Sequence, residues 1–345
     1  MRLSACLLAS CLALFSLSAS AEMVSDLYQV REAVTSQQPD ERNAALGKAL
    51  ETLLLRLTGD RKALQNPALA GVRQDPQQLV SRFSYEGDKL VVDFDPLTTE
   101  NKLREAGLPQ WGSNRPAILT WWLNSTAEGS SLLGDAQEAA APLRQAAQHR
   151  GLPLRLPLAD LSEQMVATPE NLGATQADAL QPISERYAAD ALLAVQAHED
   201  GGQWQAQWRL WLADSREQGT AQAADLNALS DAVMLAVSER LAPRFVVKPG
   251  SASAMTVEVQ GANLARYAEL ERLLEPFAAR LQQVNGDRMT WQVNASAEQL
   301  RAQLGLAGLQ EVPADAAPLD ASAQPGSTAA PTPAPAPSNL LRFSW

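Results

Sequence analysis

Two aspartates, Asp93 and Asp95, flank Phe94, and paired carboxylates are the raw material of acid/base catalysis and of cation binding. Asp95 directly precedes Pro96, however, and Asp-Pro at that point predicts a helix N-cap. No third carboxylate stands at loop spacing to complete a cation cage. The two histidines, His149 and His198, have no His or Cys at ligand spacing, so neither suggests a zinc site. His149 falls at a predicted helix end, where a cation is an ordinary stabiliser. Glu269, Glu271, Arg272 and Glu275 read as a solvated helix face. The chain has no Gly-x-Ser-x-Gly elbow, no glycine-rich phosphate loop and no dinucleotide fingerprint, the motifs that mark hydrolases and nucleotide enzymes. No catalytic residue, cofactor or metal is assigned.

What remains is aromatic. The chain carries eight tryptophans beside only six phenylalanines and four tyrosines. Indoles either fill cores or form flat platforms for glycans, peptides and partner proteins. Trp204 and Trp208 alternate with Ala206 and Leu210 on one strand face and are expected in the core, while Trp211 falls on the other face with Gln207 and Arg209. Trp121 and Trp122 are adjacent on a predicted central strand, so one should face each side of its sheet. Trp111, between Pro109 and Pro116, is placed to clamp two units together. With Trp211 and Trp345 it makes up the candidate binding surface.

The elements that position these residues follow a secretion-type start. Arg2, an apolar stretch from Leu7 to Leu17 and the small run Ser18-Ala19-Ser20-Ala21 have the order of a signal peptide cleaved after Ala21. The apolar stretch falls short of the roughly 20 residues a bilayer span needs, and no second candidate follows. Leu8-Ala9-Ser10-Cys11 resembles a lipoprotein cleavage site, but the apolar run continues past Cys11, which favours ordinary cleavage. Both cysteines, Cys6 and Cys11, lie in this segment, leaving a mature chain without thiols, disulfides or cysteine metal sites. With 28 basic against 39 acidic side chains and a net charge of −11, the surface repels phosphate backbones and anionic lipid. Nucleic acid is therefore not expected as a partner, and a periplasmic location is.

Beyond the leader at 1–21, the sequence divides into three α/β (α+β) units and a tail. The first, 22–112, reads as an extended stretch at 27–33, an amphipathic helix through Ala45, Ala49, Leu53 and Leu57 closed by Gly59, a strand at 88–94, and a helix from Pro96 to about Gly107. The second, 113–248, opens on an apolar strand at 118–123. Helices at 135–149 and 175–188 follow, then a β-hairpin at 191–212 turning at Glu199-Asp200-Gly201-Gly202, and a helix from Leu226 stopped by Pro243. Strands alternating with helices over 254–312 predict a third small layered unit with mixed sheet. Residues 313–339 are rich in Pro, Ala and Ser, the composition of a linker that cannot order itself. The final residues 340–345 turn apolar again and are expected to add as a strand to the third unit's sheet, the alternative being capture by a partner through edge-strand addition.

Three stretches resemble a known family. Ala49-Leu50-Glu51-Thr52-Leu53-Leu54-Leu55-Arg56-Leu57-Thr58-Gly59, then Leu108-Pro109-Gln110-Trp111-Gly112-Ser113-Asn114-Arg115-Pro116, then Arg186-Tyr187-Ala188-Ala189-Asp190 with Trp204 and Trp208, resemble an uncharacterised proteobacterial family, domain of unknown function 2066. The second unit is more loosely similar to the small α/β domains of flagellar assembly protein T, of the TolB amino-terminal region and of penicillin-binding-protein activators. The resemblance implies an exported envelope protein without assigned catalytic or cofactor residues. The expected function is that of a non-enzymatic periplasmic accessory or scaffold protein binding another envelope protein. The alternative is a module holding glycan, peptidoglycan or peptide on exposed tryptophan.

Overall fold

The computed structural model describes residues 22–213, 215–247, 253–277, 279–312 and 339–345. The expected leader with its cleavage after Ala21, and all but the last residue of the Pro-rich linker, lie outside the described residues. The fold is α+β, with three main sheets and helices packed on them.

The first unit contains β1 (Glu22–Met23), β2 (Gln29–Ala33), α1 (Pro39–Thr58), α2 (Ala70–Gln74), β3 (Val80–Glu86), β4 (Lys89–Phe94) and α3 (Pro96–Glu105). Pro39 starts α1 with Asp40 and Glu41 in its first turn, and Gly59, at φ 60°, closes it with an N–H donated to Leu55 O. Ala45, Leu46, Ala49, Leu50, Leu53 and Leu57 pack against Val30, Leu90, Val92 and Phe94 of an antiparallel sheet in the order β2-β4-β3. Asp95 caps α3 by accepting the Thr98 N–H. Asp93 accepts from Gln29 and Arg82, so the aspartate pair is structural.

The second unit comprises β5 (Asn114–Arg115), β6 (Ile118–Thr126), β7 (Gly129–Leu132), α4 (Ala141–Arg150), β8 (Leu154–Arg155), α5 (Leu161–Val166), α6 (Pro169–Leu172), α7 (Gln181–Ser184), β9 (Ala191–Asp200), β10 (Gln203–Leu212), β11 (Ser215–Ala223) and α8 (Leu226–Phe245). Its sheet runs β11-β10-β9-β6-β7, with β8 pairing parallel to β6. Trp122, Trp208 and Leu210 face the core shared with α4 and α8, while Trp121 and Trp211 face the opposite core under the 159–187 segment. The cross-sheet split of Trp121 and Trp122 is as their adjacency requires.

Three helices differ from expectation. The one read over 135–149 becomes helical only from Ala141, behind a 3-10 turn at Glu138–Ala140, because Pro142 belongs in a first turn. The one read over 175–188 shrinks to α7 and a 3-10 turn at Glu185–Tyr187, because Pro182 fits only a first turn. The one read as stopping at Pro243 continues to Phe245, since a proline in the last turn forfeits little of the ladder. β11, polar in sequence, is an edge strand whose inner side is pared down. A Cβ on Gly219 would stand 2.5 Å from the Trp208 ring, so glycine there lets the indole lie against the strand.

The third unit contains β12 (Ser253–Gln260), α9 (Leu264–Leu274), β13 (Arg280–Asn285), β14 (Arg288–Ala295), α10 (Ala297–Leu306), β15 (Gln310–Glu311) and β16 (Leu340–Ser344). Strand order is β13-β14-β12-β16-β15. The terminal segment joins this sheet as expected, parallel to β12.

Candidate functional site

The first two units are joined where the C-termini of α1 and α4 meet. Both helix ends present carbonyls with no partner in their own helix, and two buried arginines supply the donors. Arg56 donates through Nε to His149 O at 3.0 Å and through Nη1 to Asp26 O, Leu27 O and Gln29 O at 3.2, 3.1 and 2.7 Å. Arg115 donates through Nη2 to Arg56 O at 2.7 Å and Trp111 O at 3.1 Å, through Nη1 to Arg150 O and Gly151 O at 2.9 and 3.2 Å, and through Nε to Gly112 O at 3.0 Å. No carboxylate contacts either guanidinium among these bonds. The negative ends of two helix dipoles provide the compensation. Burial, followed by the neighbouring guanidinium, pulls Arg115 down to about 9. Burial, followed by nearby Arg150, pulls Arg56 to about 10. Both remain cationic at neutral pH.

Trp111 belongs to this latch. It is fully buried, stacked on Phe245 of α8 at 6.0 Å, with the Arg115 guanidinium 4.3 Å from its ring. As a surface residue it is therefore corrected: it ties α8 to the first unit. Trp211 is also not open. It is 9 % exposed and donates Nε1–H to Thr175 O at 3.1 Å, because residues 175–187 fold over that end of the sheet. Its ring lines a cleft of about 420 Å³ with Asp190 and Arg216. Trp345 is partly buried against the third core, with the Arg266 guanidinium 4.8 Å from its ring. The three tryptophans stand in three separate places and form no common surface.

A different feature emerges in the loop that carries α5. Leu158, Leu161 and Met165 are exposed to 63, 74 and 72 %. Leu161 and Met165, four residues apart, lie on one face of the helix. Beneath them the segment is pinned by polar contacts. Asp160 caps α5 and forms a capping box with Glu163. The fully buried Glu163 carboxylate also accepts from the Tyr187 hydroxyl and the Arg186 guanidinium. Arg186 reaches Asp160 at 2.9 Å, and the Leu158 N–H donates to Tyr187 Oη at 2.8 Å. Ala159 is held at φ 56°, a left-handed conformation that a non-glycine residue adopts only when its surroundings impose it. Three large apolar side chains are thus presented to solvent on a rigid mount. Sequence reasoning missed them, although the Asp160-x-x-Glu163 capping box followed by apolar residues at i, i+4 was there to read.

The Ser162 hydroxyl, the Glu163 N–H and Arg186 hold the Asp160 carboxyl well below the usual carboxylate range. Since the folded state depresses this pKa, its contribution is complete above the unfolded value of about 3.9 and is lost as pH falls through the folded one. Amide exchange across 159–166 is expected to be unchanged relative to the rest of the unit from pH 8 to about 5, and to accelerate only below about pH 4. Loosening near pH 6 would contradict this assignment.

Fold and surface together define an α+β protein of three main sheets whose first two units are joined by a buried cationic latch. Among the described residues no helix is long and apolar enough to cross a membrane and no group of three His, Cys, Asp or Glu side chains could hold a metal. Residues 21–112 match the family model of a domain of unknown function, DUF8605, so the first unit carries an uncharacterised-family signature, a different model from the family 2066 expected from the motifs. No curated protein and no solved structure matches the chain significantly.

Proposed function

We propose that this is an exported periplasmic accessory protein that binds another envelope protein through the surface of α5. One observation carries the reading: Leu161 and Met165 are exposed on one face of α5, and Leu158 is exposed just before it, on a segment whose underside is fixed by the buried Glu163. Exposed apolar clusters on a rigid scaffold mark protein contact sites, and pre-organisation lowers the entropy lost on docking. The leader-like first 21 residues and the resemblance of the second unit to TolB-type and flagellar accessory domains support the compartment and the accessory role. The glycan- or peptide-binding alternative has less support, since Trp111 and Trp211 are buried and Trp345 is partly buried.

A photo-crosslinking side chain at position 161 or 165 is expected to give one discrete adduct in cells, whereas position 222 on the open sheet face gives none. Leu161→Glu with Met165→Glu should abolish an adduct formed from position 158 while changing stability by no more than about 0.5 kcal/mol, because exposed positions carry little of the fold. Equal adducts from 161 and 222 would sink the reading.

A further inference from the structure

The third unit holds a strand that its own fold does not require. β12, α9, β13, β14, α10 and β15 follow one another as a βαββαβ unit, the split arrangement in which the fourth strand lies antiparallel beside the first. Here β13, β14 and β12 take their usual order, but β15 is displaced to the edge and β16 occupies the position beside β12. β16 runs parallel to β12 from Thr256↔Leu340 to Gln260↔Ser344, and β15 pairs antiparallel with β16 at only two positions, Gln310↔Ser344 and Glu311↔Phe343. β15 therefore already has the direction needed to close onto β12 if β16 withdraws.

The slot has defined chemistry. Leu341 and Phe343 enter the core beside Val257 and Val259, Glu258 faces Arg342 at 3.7 Å, and Trp345 lies under Arg266. An occupant must be extended, with apolar side chains at alternate positions, a cation between them and a terminal aromatic. Antiparallel neighbours such as β15 and β16 need only 2–5 residues to connect them. Residues 313–338 lie between them, a stretch that can span at most about 90 Å.

We infer that the slot between β12 and β15 is a strand-acceptor site whose second occupant is residues 339–345 of another copy of this chain. The tether reaches a neighbour, and the incoming strand makes the same contacts as the chain's own. Exchange therefore competes only with closure by the tether, which acts at an effective concentration on the order of millimolar. Reciprocal insertion gives a closed two-fold dimer.

The test uses full-length chains with Cys6→Ser and Cys11→Ser. One tagged copy carries Val257→Cys and a differently tagged copy carries Leu341→Cys, since these positions are register partners. A single chain bearing both substitutions should form an intrachain disulfide, confirming that the slot is filled and the fold retained. Mixed single-cysteine copies, co-refolded and oxidised, should form heterodimers that rise from a few per cent at tens of micromolar to about half near 1 mM. Efficient intrachain closure without interchain linkage at any concentration would overturn the inference, as would absence of the intrachain disulfide.

Discussion

Replacing Arg115 with methionine is expected to lower the unfolding free energy by about 3–5 kcal/mol, the cost of breaking a buried charged network by removing one member. The loss comes from the partners. Carbonyls of Arg56, Trp111, Gly112, Arg150 and Gly151 accept from this one guanidinium, and most sit where water does not enter. A buried acceptor left without a donor costs about 1–3 kcal/mol. Arg115→Lys should recover only part of the loss, because an ammonium keeps the charge but lacks the planar fork that serves two helix ends at once. Denaturant melts check both variants: the midpoint should fall with the slope unchanged. A loss below about 1 kcal/mol for methionine would show that water replaces the guanidinium.

Gly59→Ala is expected to cost about 2–5 kcal/mol. At φ 60° any side chain meets its own carbonyl, worth roughly 1–2 kcal/mol, and here the added methyl would also overlap Ala242 Cβ on α8. Overpacking of a tight contact adds about 1–3 kcal/mol. Gly59→Ala with Ala242→Gly separates the two terms by thermal melting. The pair should regain the overpacking part, less about 1 kcal/mol for glycine within a helix. No rescue would mean that backbone strain alone accounts for the loss.

Much of the fold was legible where one residue pattern met one physical demand. α1 announced itself by apolar spacing and a terminal glycine, the β9–β10 hairpin by two glycines between β-rich runs, and the terminal strand by returning apolar character after a proline-rich stretch. β3, β11 and β13 were not legible. They are edge strands; β13 has all six residues exposed, so alternation, which reports burial on one face, is weak or absent. The latch was hidden for a different reason. Arginine in a sequence reads as surface, and only the convergence of two helix ends from separate units makes Arg56 and Arg115 interior residues. Trp111 was placed as a clamp by its flanking prolines, but its stacking partner Phe245 lay beyond the expected end of α8. For α5 the capping box announced a helix, but nothing marked its apolar residues as exposed, because apolar residues at helical spacing ordinarily face a core.

Gln110 and Val247 exchange both backbone hydrogen bonds, at 3.0 and 2.7 Å. The polypeptide therefore enters and leaves the central unit through a single neck, and the two outer units emerge from the same point. Tension applied between the chain's ends passes across this neck, leaving the central sheet unloaded until the Gln110–Val247 bridge parts. Mechanically the middle of the sequence is a side loop, and the first and last units are the ones in series.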